Sequence, residues 1–122
     1  EIYENAQKKE NINHRRILIV EDNDELRNYL SQTLSEEYFV QVCSNGKEAL
    51  TIIPEYKPEL VISDIMMPEM RGDELCQAIK NNIETSHIPV ILLTALNNEK
   101  DILSGLQIGA DEYVVKPFNI ES

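Results

Sequence analysis

From Ile17 onward, short runs of β-branched and aliphatic residues alternate with amphipathic stretches. The runs are RILIVE (16–21), FVQVC (39–43), LVISD (60–64), PVILLT (89–94) and EYVVK (112–116). The first, third and fourth are almost unbroken apolar sequences. Strands read this way when both of their faces are covered, as in a parallel sheet. The stretches between them have helical spacing. In the first, Leu26, Tyr29, Leu30, Thr33 and Leu34 recur at intervals of three and four and predict one inward face. The second runs from about Gly46 to Tyr56, with Ala49, Leu50 and Ile53 inward. The third carries Leu75, Ala78 and Ile79. The fourth carries Ile102, Leu103 and Leu106, and Gly109 suits a left-handed cap at its end.

The predicted order is βαβαβαβαβ. Strict alternation with buried strands implies an α/β fold with a doubly wound, five-stranded parallel sheet. Right-handed crossovers leave few topologies, and the flavodoxin-like strand order 2-1-3-4-5 is the common one at this length. In that order the winding reverses between the first and third strands. A crevice opens there at the carboxyl ends of the strands, and ligands bind in such crevices. Residues 1–14 lack sustained periodicity and read as a linker from an upstream segment, so the folded domain is expected over 15–122.

Charge narrows the function. Eleven basic against 22 acidic residues give a net charge of −11. Nucleic-acid binding needs a basic footprint, so direct contact with DNA or RNA is not expected. No apolar run approaches the ~20 residues that span a bilayer, and the polar start is no secretory signal. Membrane insertion is therefore not expected, and a cytoplasmic location follows by default. Cys43 and Cys76 are far apart, form no CxxC pair and sit in apolar patterns, which predicts buried free thiols. His14 and His87 have no partners at ligand spacing and read as surface residues.

The strand ends hold the candidate chemistry. The first ends in Glu21-Asp22, the third in Asp64, the fourth in Thr94-Ala95 and the fifth in Lys116-Pro117. Three carboxylates gathered at one sheet edge repel one another, and a structural protein has no reason to gather them. A hard divalent cation removes the conflict; Mg²⁺ takes oxygen ligands and is often held by one or two carboxylates plus waters and phosphate. Lys116 could pair with a phosphoryl oxygen, although a solvated strand-end lysine is the commoner fate of Lys. Thr94 could donate a hydrogen bond, although β-propensity alone explains a Thr there. The chemistry such a group could perform is phosphoryl transfer, with Asp64 as nucleophile forming an acyl phosphate. Lys116, Thr94 and Mg²⁺ would stabilise the phosphoryl oxygens.

Together ILIVEDN, LVISDIMMPEMRGDEL, IPVILLTA and GADEYVVKPF resemble the receiver domain of response regulators, from roughly Arg15 to Phe118. The resemblance implies a phosphoacceptor switch that takes its phosphoryl group from a histidine kinase or its phosphohistidine domain and signals to an output domain. Such a domain promotes its own phosphorylation. By this resemblance Asp64 is the phosphoacceptor. Asp22 is the more direct metal ligand, Glu21 acts largely through water, and the Met66 backbone carbonyl is a further ligand. Thr94 and Lys116 sense the phosphoryl group. Tyr113, which periodicity alone makes a core aromatic, becomes the switch residue. Pro68 and Gly72 shape the turn into the third helix. The Lys116–Pro117 bond is expected to be cis, aiming the lysine across the sheet edge. VEDN at 20–23 resembles receivers attached to hybrid histidine kinases.

Three further expectations follow. Met66 and Leu96, two positions beyond Asp64 and Thr94, should flank the path of an attacking water. Neither can orient one, which predicts slow loss of the phosphoryl group and suits a transcriptional output. The family's fifth helix has no counterpart before the sequence ends at FNIES, so the face it covers should be met by a second chain through self-association rather than by residues 1–14, whose apolar stripe of Ile2, Tyr3 and Ala6 is short and flanked by polar residues. Two other classes fit worse. A haloacid-dehalogenase-type phosphatase needs a second Asp two residues after the nucleophile, where this chain has Met66. A flavin-phosphate module needs a neutral Ser/Thr/Gly loop where this chain has EDNDE.

Overall fold

A computed structural model of the chain describes residues 15–94 and 109–115. Five strands, β1 (Arg16–Val20), β2 (Phe39–Cys43), β3 (Leu60–Asp64), β4 (Val90–Thr94) and β5 (Glu112–Val115), form one sheet in the order β2-β1-β3-β4-β5. All four neighbouring pairs are parallel. The expected order 2-1-3-4-5 is therefore the observed one. Three helices connect the described strands: α1 (Asp24–Leu34), α2 (Gly46–Tyr56) and α3 (Gly72–Asn81). The linker assigned to 1–14, the fourth helix, Leu96 and the Lys116–Pro117 bond lie outside the described residues.

The sheet is apolar on both faces because successive strand residues point to opposite sides. Leu18, Val20, Val61, Val90 and Leu92 pack with Ala49 and Ile53 of α2 and Leu75, Cys76 and Ile79 of α3. On the other face Ile17, Ile19, Ile62 and Leu93 pack with Leu30 of α1, flanked by Leu26 and Leu34. This is why β1, β3 and β4 read as continuous apolar runs. Edge strand β2 keeps an alternating pattern, with Phe39 and Gln41 exposed and Cys43 buried.

Local signals start each helix. The Asn23 side chain accepts from the Leu26 N–H at 2.9 Å, and Asn45 does the same for Glu48 N–H at 2.9 Å. At α3 the Glu74 carboxylate accepts from the Arg71 N–H at 3.1 Å. These bonds satisfy donors that have no partner within the helix. Two side chains assigned to inward faces lie outward: Tyr29 is 45% exposed and Leu50 is 36% exposed. Each is one residue, about 100° of helix, away from the residue that is buried, Leu30 or Ala49. A helix on a sheet buries a narrower stripe than its apolar residues could fill.

Candidate functional site

The site forms where three separate segments end at the same sheet edge. The register pairs Val20 with Cys43 on one side and with Ser63 on the other, so Glu21 and Asp22 emerge beside Asp64. The Glu21 N–H still bonds the Cys43 carbonyl at 3.0 Å, which carries sheet geometry into the acidic pair. Asp64 pairs with Leu93, which puts the Thr94 backbone one position further along the same edge. Thr94 is in turn paired with Val115 of β5, two residues after Tyr113.

Each carboxylate is held differently. Glu21 is fully buried, and its Oε2 accepts from the Asn23 N–H at 3.1 Å. Asp64 is also buried, with Oδ1 accepting from the Ile65 N–H at 2.9 Å. Asp22 is exposed. One carboxylate oxygen from each of Glu21, Asp22 and Asp64 lies within 4.8 Å of the others. An ion with metal–oxygen bonds near 2.1 Å holds opposite ligands about 4.2 Å apart. The cluster therefore lies within reach of a Mg²⁺-sized cation, bound directly or with one carboxylate acting through water. The donor set, hard oxygen throughout, suits that ion.

The loop from Ile65 to Arg71 follows Asp64 directly and leads into α3. The Gly72 N–H donates to the Ile65 carbonyl at 2.9 Å, and the Gly72 Cα faces the Asp64 backbone. A Cβ at Gly72 would stand 2.0 Å from the Asp64 carbonyl oxygen, so only glycine fits. Met66, two residues beyond Asp64, carries its side chain outward and is 58% exposed.

The structure thus brings together Glu21, Asp22 and Asp64, and sets Met66 and the Thr94 backbone at the same end of the sheet. Lys116 lies outside the described residues. Sequence reasoning missed Arg27. Its Nη1 donates to the Glu21 carbonyl at 3.0 Å, and its other amino group pairs with Asp24, tying α1 to the acidic loop. Spacing marks Arg27 only as a surface partner of Asp24 at i+3, a pairing with small energetic meaning. Its reach back to Glu21 needs the loop geometry.

Known proteins resemble this chain in sequence and fold. The family model "Response regulator receiver domain" matches residues 17–122. The chain is 49% identical over 105 residues to Histidine kinase P4 of Formosa agariphila, covering 86% of this chain and 8% of that protein. It is 38% identical over 102 residues to the transcriptional regulatory protein AfsQ1 of Streptomyces coelicolor, covering 83% of this chain and 44% of that protein. The chain therefore spans less than half of either relative. Among solved structures, the signal receiver domain of a signal transduction histidine kinase from Syntrophus aciditrophicus superposes with a TM-score of 0.81 at 40% identity, covering 86% of this chain and 80% of that one. The chemotaxis response regulator CheY4 of Vibrio cholerae superposes at 0.83 with 31% identity, covering 89% and 92%. With the family model spanning nearly all of the described fold, the chain belongs to the response regulator receiver domain family.

Proposed function

We propose that this chain is the phosphoacceptor switch of a two-component phosphorelay, and that Asp64 receives the phosphoryl group from a phosphohistidine of a partner kinase. The convergence of the Glu21, Asp22 and Asp64 carboxylates within 4.8 Å of one another supports this most directly. In this reading Asp22, Asp64 and the Met66 carbonyl would hold Mg²⁺, with Glu21 acting through water. The ion supplies positive charge against the phosphoryl oxygens. The Asp64 carboxylate attacks phosphorus in line; the new P–O bond forms as the P–N bond breaks, and the imidazole leaves with a proton from solvent. Thr94 and Lys116 would bind the phosphoryl oxygens, and Tyr113 would report the change to a signalling surface. Residues 1–14 would link this domain to an upstream one.

A second reading places the domain inside a hybrid histidine kinase, and the 49% identity to Histidine kinase P4 favours it. A separate regulator with a transcriptional output is favoured by the likeness to AfsQ1. Both use the same acceptor chemistry. Among the described residues no helix is long and apolar enough to cross a membrane. A cytoplasmic location belongs to the proposal, because the phosphohistidine donor is made there.

The test is incubation of the chain with a small phosphodonor and Mg²⁺, read by intact mass. One phosphate is expected on the parent protein and none on Asp64→Asn. Equal labelling of both proteins sinks the assignment.

A further inference from the structure

We propose that Met66 is a site of reversible oxidation by peroxides and that its sulfoxide shortens the life of the phosphoryl group on Asp64. This inference rests on the reading of Asp64 as the acceptor. Three methionines, Met66, Met67 and Met70, lie in the loop after β3, and they differ sharply in access. Met66 is 58% exposed, Met67 is 8% exposed, and Met70 is partly buried against the core. Exposure favours oxidation of the first of these.

A second observation concerns the product. Arg71 Nη1 lies 3.1 Å from the Met66 sulfur. The guanidinium is held there by two contacts to the Asp73 carboxylate, at 3.1 and 3.3 Å. A thioether is a weak acceptor, whereas a guanidinium only donates. A sulfoxide oxygen is a much stronger acceptor, so the oxidised side chain finds its donor already positioned. In the reaction the sulfur lone pair attacks one peroxide oxygen. The O–O bond breaks and the S–O bond forms; the departing hydroxide takes a proton from solvent and leaves as water, and the oxygen now on sulfur gives up its own proton to solvent. Sulfur loses two electrons and peroxide gains them.

The consequence follows from where the loop is anchored. Met66 stands two residues beyond Asp64, and the loop is pinned back to β3 by the Gly72 to Ile65 bond at 2.9 Å. A thioether at that rim cannot orient a water towards an acyl phosphate. A sulfoxide oxygen has lone pairs to spare, so one can accept from Arg71 while another accepts from a water at that rim.

The experiment uses the whole chain. Brief treatment with hydrogen peroxide is followed by peptide mass mapping of the three methionines. Oxidised and untreated proteins are then phosphorylated with a small phosphodonor and Mg²⁺, the donor is removed, and decay of the phosphorylated form is followed. Met66 should oxidise ahead of Met67 and Met70. The oxidised protein should lose its phosphate roughly fivefold faster, the effect of one added hydrogen bond on the barrier. Methionine sulfoxide reductase should restore the slow rate. In Met66→Leu the decay rate should be the same before and after peroxide. Oxidation spread evenly over the three methionines, or an unchanged decay rate after oxidation of Met66, overturns the proposal. If the untreated protein takes no phosphate, the reading of Asp64 falls and the lifetime effect with it, while selectivity for Met66 is still decided by mass alone.

Discussion

Gly72 and Asp111 show how single residues bear on this fold in different ways. At Gly72 the site depends on the absence of a side chain, since a Cβ would meet the Asp64 carbonyl oxygen at 2.0 Å. Gly72→Ala must push the loop off β3. Overpacking of this kind costs about 1–3 kcal/mol, and chemical denaturation should show that loss together with weaker phosphorylation of Asp64. Asp111, just before β5, acts through charge. Burial pushes its carboxyl up, but hydrogen bonds from Lys80 Nζ at 2.8 Å and the Val90 N–H at 2.8 Å outweigh that and hold it below the usual carboxylate range. A carboxyl depressed by folding stabilises above its unfolded pKa, near 3.9, and the benefit is lost as the pH falls through the lower folded value. Asp111→Asn keeps an acceptor for Val90 but removes the charge. Urea denaturation should therefore find the parent protein more stable than Asp111→Asn at pH 7 and the gap closing below about pH 4. A gap independent of pH would show that the Lys80 pair contributes nothing.

At the scale of elements, the capping side chains give a separate test. Asn45→Ala removes the acceptor for the Glu48 N–H and should cost about 1 kcal/mol in denaturation measurements, the usual worth of an N-cap. No change would mean that water replaces the bond. The strands were legible because burial on both faces leaves a signature of unbroken apolar residues, and β1, β3 and β4 carry it plainly. The strand order was legible only through general rules of connection, not through any one residue. Helix faces were legible to within one residue, and Tyr29 and Leu50 mark the limit. Periodicity records which side chains could be buried, whereas the sheet decides how wide the buried stripe is. The carboxylates Glu21, Asp22 and Asp64 were legible because a fold rule assigns chemistry to strand ends. Arg27 was not, because its contact with the Glu21 carbonyl is to backbone and leaves no mark in side-chain pattern.

The described residues form one five-stranded sheet, and its proposed functional edge exists only when three distant segments are folded together. Its two thiols report on that folding. Burial, reinforced by the negative charge of Glu48, pushes the Cys43 thiol up to about 12, and burial pushes Cys76 up to about 11. The reactive thiolate is scarce at neutral pH and both sulfurs are enclosed. Alkylation of the native protein should therefore wait on opening of the core, and its rate should rise with denaturant. Rapid labelling of either cysteine without denaturant would contradict the packing described. The central claim, that this edge makes an acyl phosphate at one residue, is tested most directly by finding where the phosphate sits. Borohydride reduces an aspartyl phosphate to homoserine. After phosphorylation with a small donor and Mg²⁺, reduction and peptide sequencing by mass, the account predicts homoserine at position 64 alone, and none when Mg²⁺ is withheld. Homoserine at position 22, or at position 64 to the same extent without Mg²⁺, would contradict it.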